Sequence, residues 1–80
     1  MSRFSRVTKH APAWVLEEAV KFLGKGGAGL EATSRQTDCV TLEGGGGHID
    51  IRATVSSKGT EVEIEALEWD YWVERFLDKL

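Results

Sequence analysis

The chain has 80 residues, of which 41% are hydrophobic and 29% are charged, and its formal net charge at pH 7 is −3. This composition is typical of one small globular domain and excludes an intrinsically disordered chain. The longest apolar run, residues 13–16, is far shorter than the roughly 20 residues of a membrane span, so we expect no membrane association. No apolar segment with a cleavage site follows the N-terminus, and the single cysteine, Cys39, excludes an intramolecular disulfide. We therefore predict a cytoplasmic location.

Charge is distributed unevenly along the chain. Residues 1–10 contain three basic residues and no acidic ones, which gives +3. Residues 11–59 contain five basic and six acidic residues, and residues 60–80 contain two basic and seven acidic residues, which gives −1 and −5. Opposite charges at the two ends favour either contact between them or association of two copies. Binding of nucleic acid is disfavoured, because domains with that function are usually basic overall.

The first helix is predicted to begin at Pro12 and to end at Gly24, since proline suits the first turn of a helix and glycine its C-terminal stop. Its apolar residues fall on one face at helical spacing. Trp14 lies outside that face, so it is either covered by the preceding segment or exposed. Residues 1–11 are interpreted as a basic N-terminal arm, with weak evidence for a short edge strand, and residues 12–80 as a single α+β domain.

Four segments after the first helix alternate between apolar and polar residues, which is typical of strands with one buried face. Their inward positions are Leu30, Ala32 and Ser34; Val40 and Leu42; Ile49, Ile51, Ala53 and Val55; and Val62, Ile64 and Ala66. A register that keeps all of these on one face places Leu42 opposite Leu30 and Ile49, and places Ile51 opposite Ile64. The segments therefore predict a four-stranded antiparallel meander.

A second amphipathic helix is predicted at the C-terminus from large apolar residues at helical spacing. They are Trp69, Trp72, Val73, Phe76, Leu77 and Leu80. We expect Trp72 and Phe76 to be buried against the sheet. Because two apolar helix faces and one apolar sheet face must cover each other, the predicted fold is a two-layer α-β-β-β-β-α sandwich with both helices on one side.

Two glycine-rich segments are candidates for phosphate-binding loops. Residues 24–29 follow the end of a helix, whereas a phosphate loop precedes the start of one, so we predict a connector there. Residues 44–47 are predicted to form a mobile hairpin loop in which nothing packs. The alternative is a site for a small ligand or phosphometabolite, with a carboxylate and an imidazole paired at its base. The residues of this alternative site are Glu43, Gly45, Gly46 and His48.

No group of side chains predicts catalysis. Cys39 and Glu63 are both expected beside Arg52, on neighbouring strands, and the absence of a histidine next to the thiol disfavours a nucleophilic cysteine. His48 and Asp50 are close in the sequence, but their spacing matches no known set of metal ligands. We therefore predict no catalytic residue, no metal and no cofactor, and nothing in the sequence identifies an enzyme.

The remaining features favour interaction with proteins. Three glutamates at alternate positions of one strand form an acidic strip, which either protects an edge strand from aggregation or docks a basic partner. Two aromatic residues lie outside the predicted core, and the basic arm complements the acidic C-terminal third. We predict a small non-catalytic interaction module that forms a homodimer or acts as an adaptor to a larger protein. Its expected interaction residues are Arg3, Arg6, Trp14, Glu61, Glu63, Glu65 and Tyr71.

Overall fold

A computed structural model describes all residues of the chain, 1–80. Its elements are β1 (Ser2–Thr8), α1 (Pro12–Leu23), β2 (Glu31–Arg35), β3 (Cys39–Gly44), β4 (Gly47–Ser56), β5 (Gly59–Leu67) and α2 (Asp70–Leu77). The strands form one antiparallel sheet in the order β1-β5-β4-β3-β2. Both helices pack on the same side of this sheet. The predicted two-layer α+β sandwich is therefore confirmed, and the predicted meander corresponds to β2–β5.

The sheet has one strand more than the four predicted. Residues 2–8, within the segment interpreted as a basic arm, pair along their whole length with β5 and form an edge of the sheet. Phe4 lies opposite the buried Ile64, so Ser2, Arg6 and Thr8 share its inward orientation. Because three of these four inward residues are polar, the sequence of β1 shows only weak alternation.

Two of the three predicted hairpin registers are confirmed. Ile51 lies opposite Val40 on one side and Ile64 on the other, as the alternation requires. Arg52 is opposite Glu63, also as predicted. A shift of one residue would expose these isoleucines to water, which explains why the apolar pattern alone determines the pairing.

The predicted register of β2 is wrong by two residues. Leu42 lies opposite Ala32 and not opposite Leu30, and a β-bulge interrupts the pairing between Ala32 and Ser34. The amide of Leu30 donates instead to the carbonyl of Leu23 at 3.0 Å, so this residue is attached to the end of α1 and lies before the strand. A shift of two residues preserves side-chain orientation before the bulge, so the alternation could not distinguish the two registers there. After the bulge Ser34 lies opposite Thr41 and faces outward, so its predicted inward position is wrong.

One core of 16 buried hydrophobic residues fills the space between the sheet and the helices. α1 covers β3 and β4, and α2 packs against β5. Phe76 is completely buried, as expected. Trp72 is only half-buried, because it lies at the rim where the helices meet, with its ring 5.6 Å from that of Phe22 between centroids.

β1 attaches α2 to the sheet at both ends of the helix. The hydroxyl of Ser2 donates to the carboxylate of Asp70, the first residue of α2. The guanidinium of Arg6 donates to the carbonyl of Leu77, the last residue, at 3.2 Å. The same carbonyl also accepts from the backbone N–H of Leu80 at 3.1 Å, and a cation in this position complements the helix dipole. The basic N-terminal segment thus contacts the acidic C-terminal third within one chain.

We expect Phe76→Ala to lower the free energy of unfolding by about 3–5 kcal/mol, since it leaves a cavity in the core. Tyr71→Ala is the matched control on the same helix. Its side chain is 65% exposed, so we expect a change within about 0.5 kcal/mol. Urea denaturation measures both variants, and equal stabilities would contradict the packing of α2.

Candidate functional site

The face of the sheet opposite the helices is uncovered, and we call it the open face. The pairings place on it the side chains that alternate with the core residues. They are Arg3, Ser5 and Val7 of β1; Glu61, Glu63, Glu65 and Leu67 of β5; His48, Asp50, Arg52 and Thr54 of β4; Cys39, Thr41 and Glu43 of β3; and Glu31 and Ser34 of β2. The polar residues of five strands are therefore displayed on one surface.

The open face is strongly acidic. It holds six carboxylates, a seventh from Asp38 at its border, and two arginines, which gives a net charge of −5. The other six acidic and eight basic residues of the chain give +2, so the two values sum to the net charge of −3. The negative charge of the chain is therefore concentrated on the open face.

Both arginines of the open face form ion pairs within the chain. Arg3 Nη2 lies 3.0 Å from Glu65 Oε2, and Arg52 Nη1 lies 2.8 Å from Asp38 Oδ2. The side chain of Arg52 turns toward the loop before β3, so the predicted Arg52–Glu63 charge pair is not formed although the two residues are opposite each other. Glu63 consequently has no cationic partner within 4.0 Å.

A shallow groove of about 530 Å³ crosses the middle of the open face, between β1 and β3. Glu63 and Glu65 line it together with Arg3 and Arg52. Cys39 also lines the groove, and its thiol donates to the side-chain oxygen of a neighbouring glutamine, at 3.6 Å. The groove is large enough for the side chains of a short extended segment, and with Asp50 its charged lining sums to −1.

The predicted interaction residues divide into two groups. Arg3 and the three glutamates of β5 lie together on the open face. Arg6 points to the helical side, where it contacts α2. Trp14 is 36% exposed and stacks on His10 with 3.8 Å between ring centroids, so the segment before α1 covers part of the ring. Tyr71 is 65% exposed at the start of α2, away from the open face.

The glycine hairpin between β3 and β4 is packed, and the expectation that nothing packs in it is wrong. Gly45 and Gly46 have φ angles of 56° and 81°, the left-handed pair that a type I′ turn requires. The indole N–H of Trp69 donates to the carbonyl of Gly44 at 2.9 Å, and a Cβ on Gly45 would lie 3.1 Å from the same ring. The start of α2 therefore supports the turn through contacts that the local sequence does not show.

The predicted pair of Glu43 and His48 is not formed. Glu43 accepts a hydrogen bond from the hydroxyl of Thr33 at 2.7 Å, and His48 Nε2 lies 3.7 Å from Asp50 Oδ2. A polar concavity beside the hairpin includes Gly46 but not Gly45. Three carboxylates and no lysine or arginine line this concavity, so its charge does not favour a phosphate group.

Comparisons with family models, with curated proteins and with solved structures found no match. Neither helix is long and apolar enough to cross a membrane. The charge and geometry of the open face are therefore the features that bear on function. The sequence predicted the acidic strip on β5, and the structure shows that Glu31, Glu43 and Asp50 extend the same surface.

We expect Gly47→Ala to destabilise the fold more than Gly46→Ala. A Cβ on Gly47 would lie 2.0 Å from the backbone carbonyl of Leu67, so the two strands would have to separate. Gly46 has no neighbour within 4 Å of the added atom, and its variant should lose only about 1–2 kcal/mol from its positive φ. Thermal unfolding measures the stability of both variants. An equal loss of stability in the two would contradict the packed hairpin.

Proposed function

We propose that the chain is a small non-catalytic interaction module that binds a basic segment of a partner protein on its open face. This proposal is based on the net charge of the open face, which is −5, whereas the remaining residues of the chain sum to +2. Potentials of one sign over a continuous surface attract and orient partners of the opposite sign. The module is then an adaptor whose acidic surface is available as soon as the chain folds.

The spacing of the acidic strip specifies the shape of the partner segment. Glu61 and Glu63 point to the same side of β5, about 7 Å apart, and neither has an ion-pair partner. Alternate side chains of an extended peptide have the same spacing. An extended segment with lysine or arginine at alternate positions would therefore place one cation against each free carboxylate.

A second copy of this chain is a poor occupant of the open face. A two-fold axis would place two open faces, each with a net charge of −5, against each other, and they would repel. The helices of a second copy offer no positive surface either, since α1 and α2 each have a net charge of −1. We therefore assign the open face to a different protein.

Homodimerisation, which the charged chain ends predicted, has a separate candidate site at the free edge of β1. This edge strand pairs with β5 over seven residues without a bulge, whereas the other edge, β2, is interrupted by one. A regular unpaired edge is a template for pairing with another strand. Arg3 and Arg6 are already held within their own chain, so backbone pairing, and not their attraction to a partner's acidic helix, would support the dimer.

The remaining features are compatible with this function. Cys39 is free and half-buried. A free thiol persists in reducing compartments, so we propose the cytoplasm as the location. The small-ligand alternative has less support, since the glycine hairpin is filled by Trp69 and the concavity beside it is acidic.

The open face is tested with a short peptide of alternating lysine and threonine, titrated into the chain by calorimetry. Replacing Glu61, Glu63 and Glu65 together by glutamine should weaken binding roughly 3- to 100-fold, since each exposed charge pair contributes about 0.2–1 kcal/mol. The matched control replaces Glu17, Glu18 and Glu74 on the helices, which changes the net charge equally. Equal losses in the two triple variants, or equal binding of a peptide with the same lysines clustered, would refute a specific open-face site.

Self-association is measured separately by light scattering of the full chain at high micromolar concentration, across a range of salt. Pairing of two β1 edges brings together arginines of two copies, so we expect the dimer to persist or to strengthen as salt screens them. A dimer that dissociates with salt would instead indicate attraction between opposite charges. A mass of 8.8 kDa throughout, that of one chain, would exclude the homodimer and leave the adaptor function unaffected.

A further inference from the structure

Three potential metal ligands converge near the middle of the open face. Asp50 and Glu65 are directly opposite each other on β4 and β5, and His48 is two residues from Asp50 on the same side of β4. Their ligand atoms all lie within 4.8 Å of one another. Like charges directly opposite on neighbouring strands destabilise a sheet, so a positive charge between these carboxylates would be stabilising. The combination includes an imidazole and is thus more than a patch of acidic residues.

One of the three ligands, Asp50, is oriented by a neighbouring hydroxyl. The hydroxyl of Thr41 donates to Asp50 Oδ1 at 2.7 Å, which leaves Oδ2 directed toward His48. The distance from Asp50 Oδ2 to His48 Nε2 is 3.7 Å, too long for a hydrogen bond. Two ligands of one metal ion with bonds of about 2.0–2.2 Å are separated by about 3–4 Å, so the observed distance fits a shared ion.

Arg3 is the one cation in contact with this cluster. Its Nη2 atom lies 3.0 Å from Glu65 Oε2, and its side chain is 84% exposed, so solvent screens much of its charge. The second carboxylate oxygen of Glu65 remains available as a ligand. With His48 neutral, the three ligands and Arg3 together have a charge of −1, which still favours a cation.

We propose that His48, Asp50 and Glu65 bind one divalent transition-metal ion, with Zn²⁺ as the reference ion. One imidazole nitrogen and two carboxylate oxygens suit this class better than Ca²⁺ or Mg²⁺, which prefer oxygen ligands alone. All three ligands are on paired strands, which hold their relative positions more rigidly than loops do. Three protein ligands leave a fourth position for water. The site needs no bound partner, but it shares Glu65 with the acidic strip, so an ion bound there would reduce the negative charge of the open face.

The test uses the full chain after treatment with a chelator, titrated with Zn²⁺ alone by calorimetry and with Co²⁺ by absorption spectroscopy. We expect one ion per chain. His48→Gln, Asp50→Asn and Glu65→Gln should each weaken Zn²⁺ binding by more than tenfold. Thr41→Val should weaken it roughly 10- to 100-fold, as loss of a group that orients a ligand commonly does. The matched controls, His10→Gln and Glu61→Gln, should retain the affinity of the unmodified chain.

Selectivity separates a metal site from a merely acidic surface. Wild-type affinity in His48→Gln, or equal competition by Ca²⁺ in excess over Zn²⁺, would overturn the proposal. Circular dichroism establishes that each variant is folded. If a variant is unfolded, NMR of the unmodified chain replaces it. Chemical-shift changes on addition of Zn²⁺ that centre on the imidazole of His48 and the amides of β4 and β5 support the site. Changes centred elsewhere overturn it.

Discussion

The register between β4 and β5 is the constraint on which the rest of the structure depends. Nine consecutive residue pairs, from His48–Leu67 to Ser56–Gly59, join these central strands. Burial of Ile51 and Ile64 fixes this pairing, because a shift of one residue would exchange buried and exposed side chains. The composition of the open face is therefore a consequence of core packing: once the isoleucines are inside, Asp50 and Glu65 must face each other outside.

β1, at the start of the chain, helps to hold α2, at its end, against the sheet. Its inward side contains only one large apolar residue, Phe4, and its polar residues instead contact the two ends of α2. The helix therefore has hydrophobic attachment through Phe76 and polar attachment through Ser2 and Arg6. The same strand supplies Arg3 to the open face. A short polar segment can thus be a structural element when its partners lie far away in the sequence.

Local rules and alternation predicted the parts of the fold that they govern. Proline and glycine marked the observed start and end of α1, and alternating residues determined the pairing of β3, β4 and β5. Alternation could not identify β1, whose inward residues are mostly polar, or choose between two registers of β2 that differ by two residues. The position of Trp69 against the glycine hairpin depends on tertiary contact and has no local signal.

The candidate site was predictable to a similar degree. The period-2 glutamates of β5 indicated an acidic strip, and the correct pairing of Ile51 with Ile64 already implies that Asp50 is opposite Glu65. The strand register therefore predicts that these two carboxylates lie close together. Short-range ligand spacing could not show this, because the residues are 15 positions apart in the sequence. The Arg52–Asp38 ion pair was not predictable, because it depends on the path of a loop.

The pairing of β1 with β5 also has a consequence for the order in which the chain folds. Ser2 pairs with Ala66, so β1 and its neighbour are separated in the sequence by every other strand and by α1. The hairpins of β2 to β4 can form from residues that are close in the sequence, while β1 remains unpaired. Contacts so distant in sequence slow folding, because a long loop must close before they form. Closure of the sheet and attachment of α2 are thus expected to occur together, as a single late event in folding.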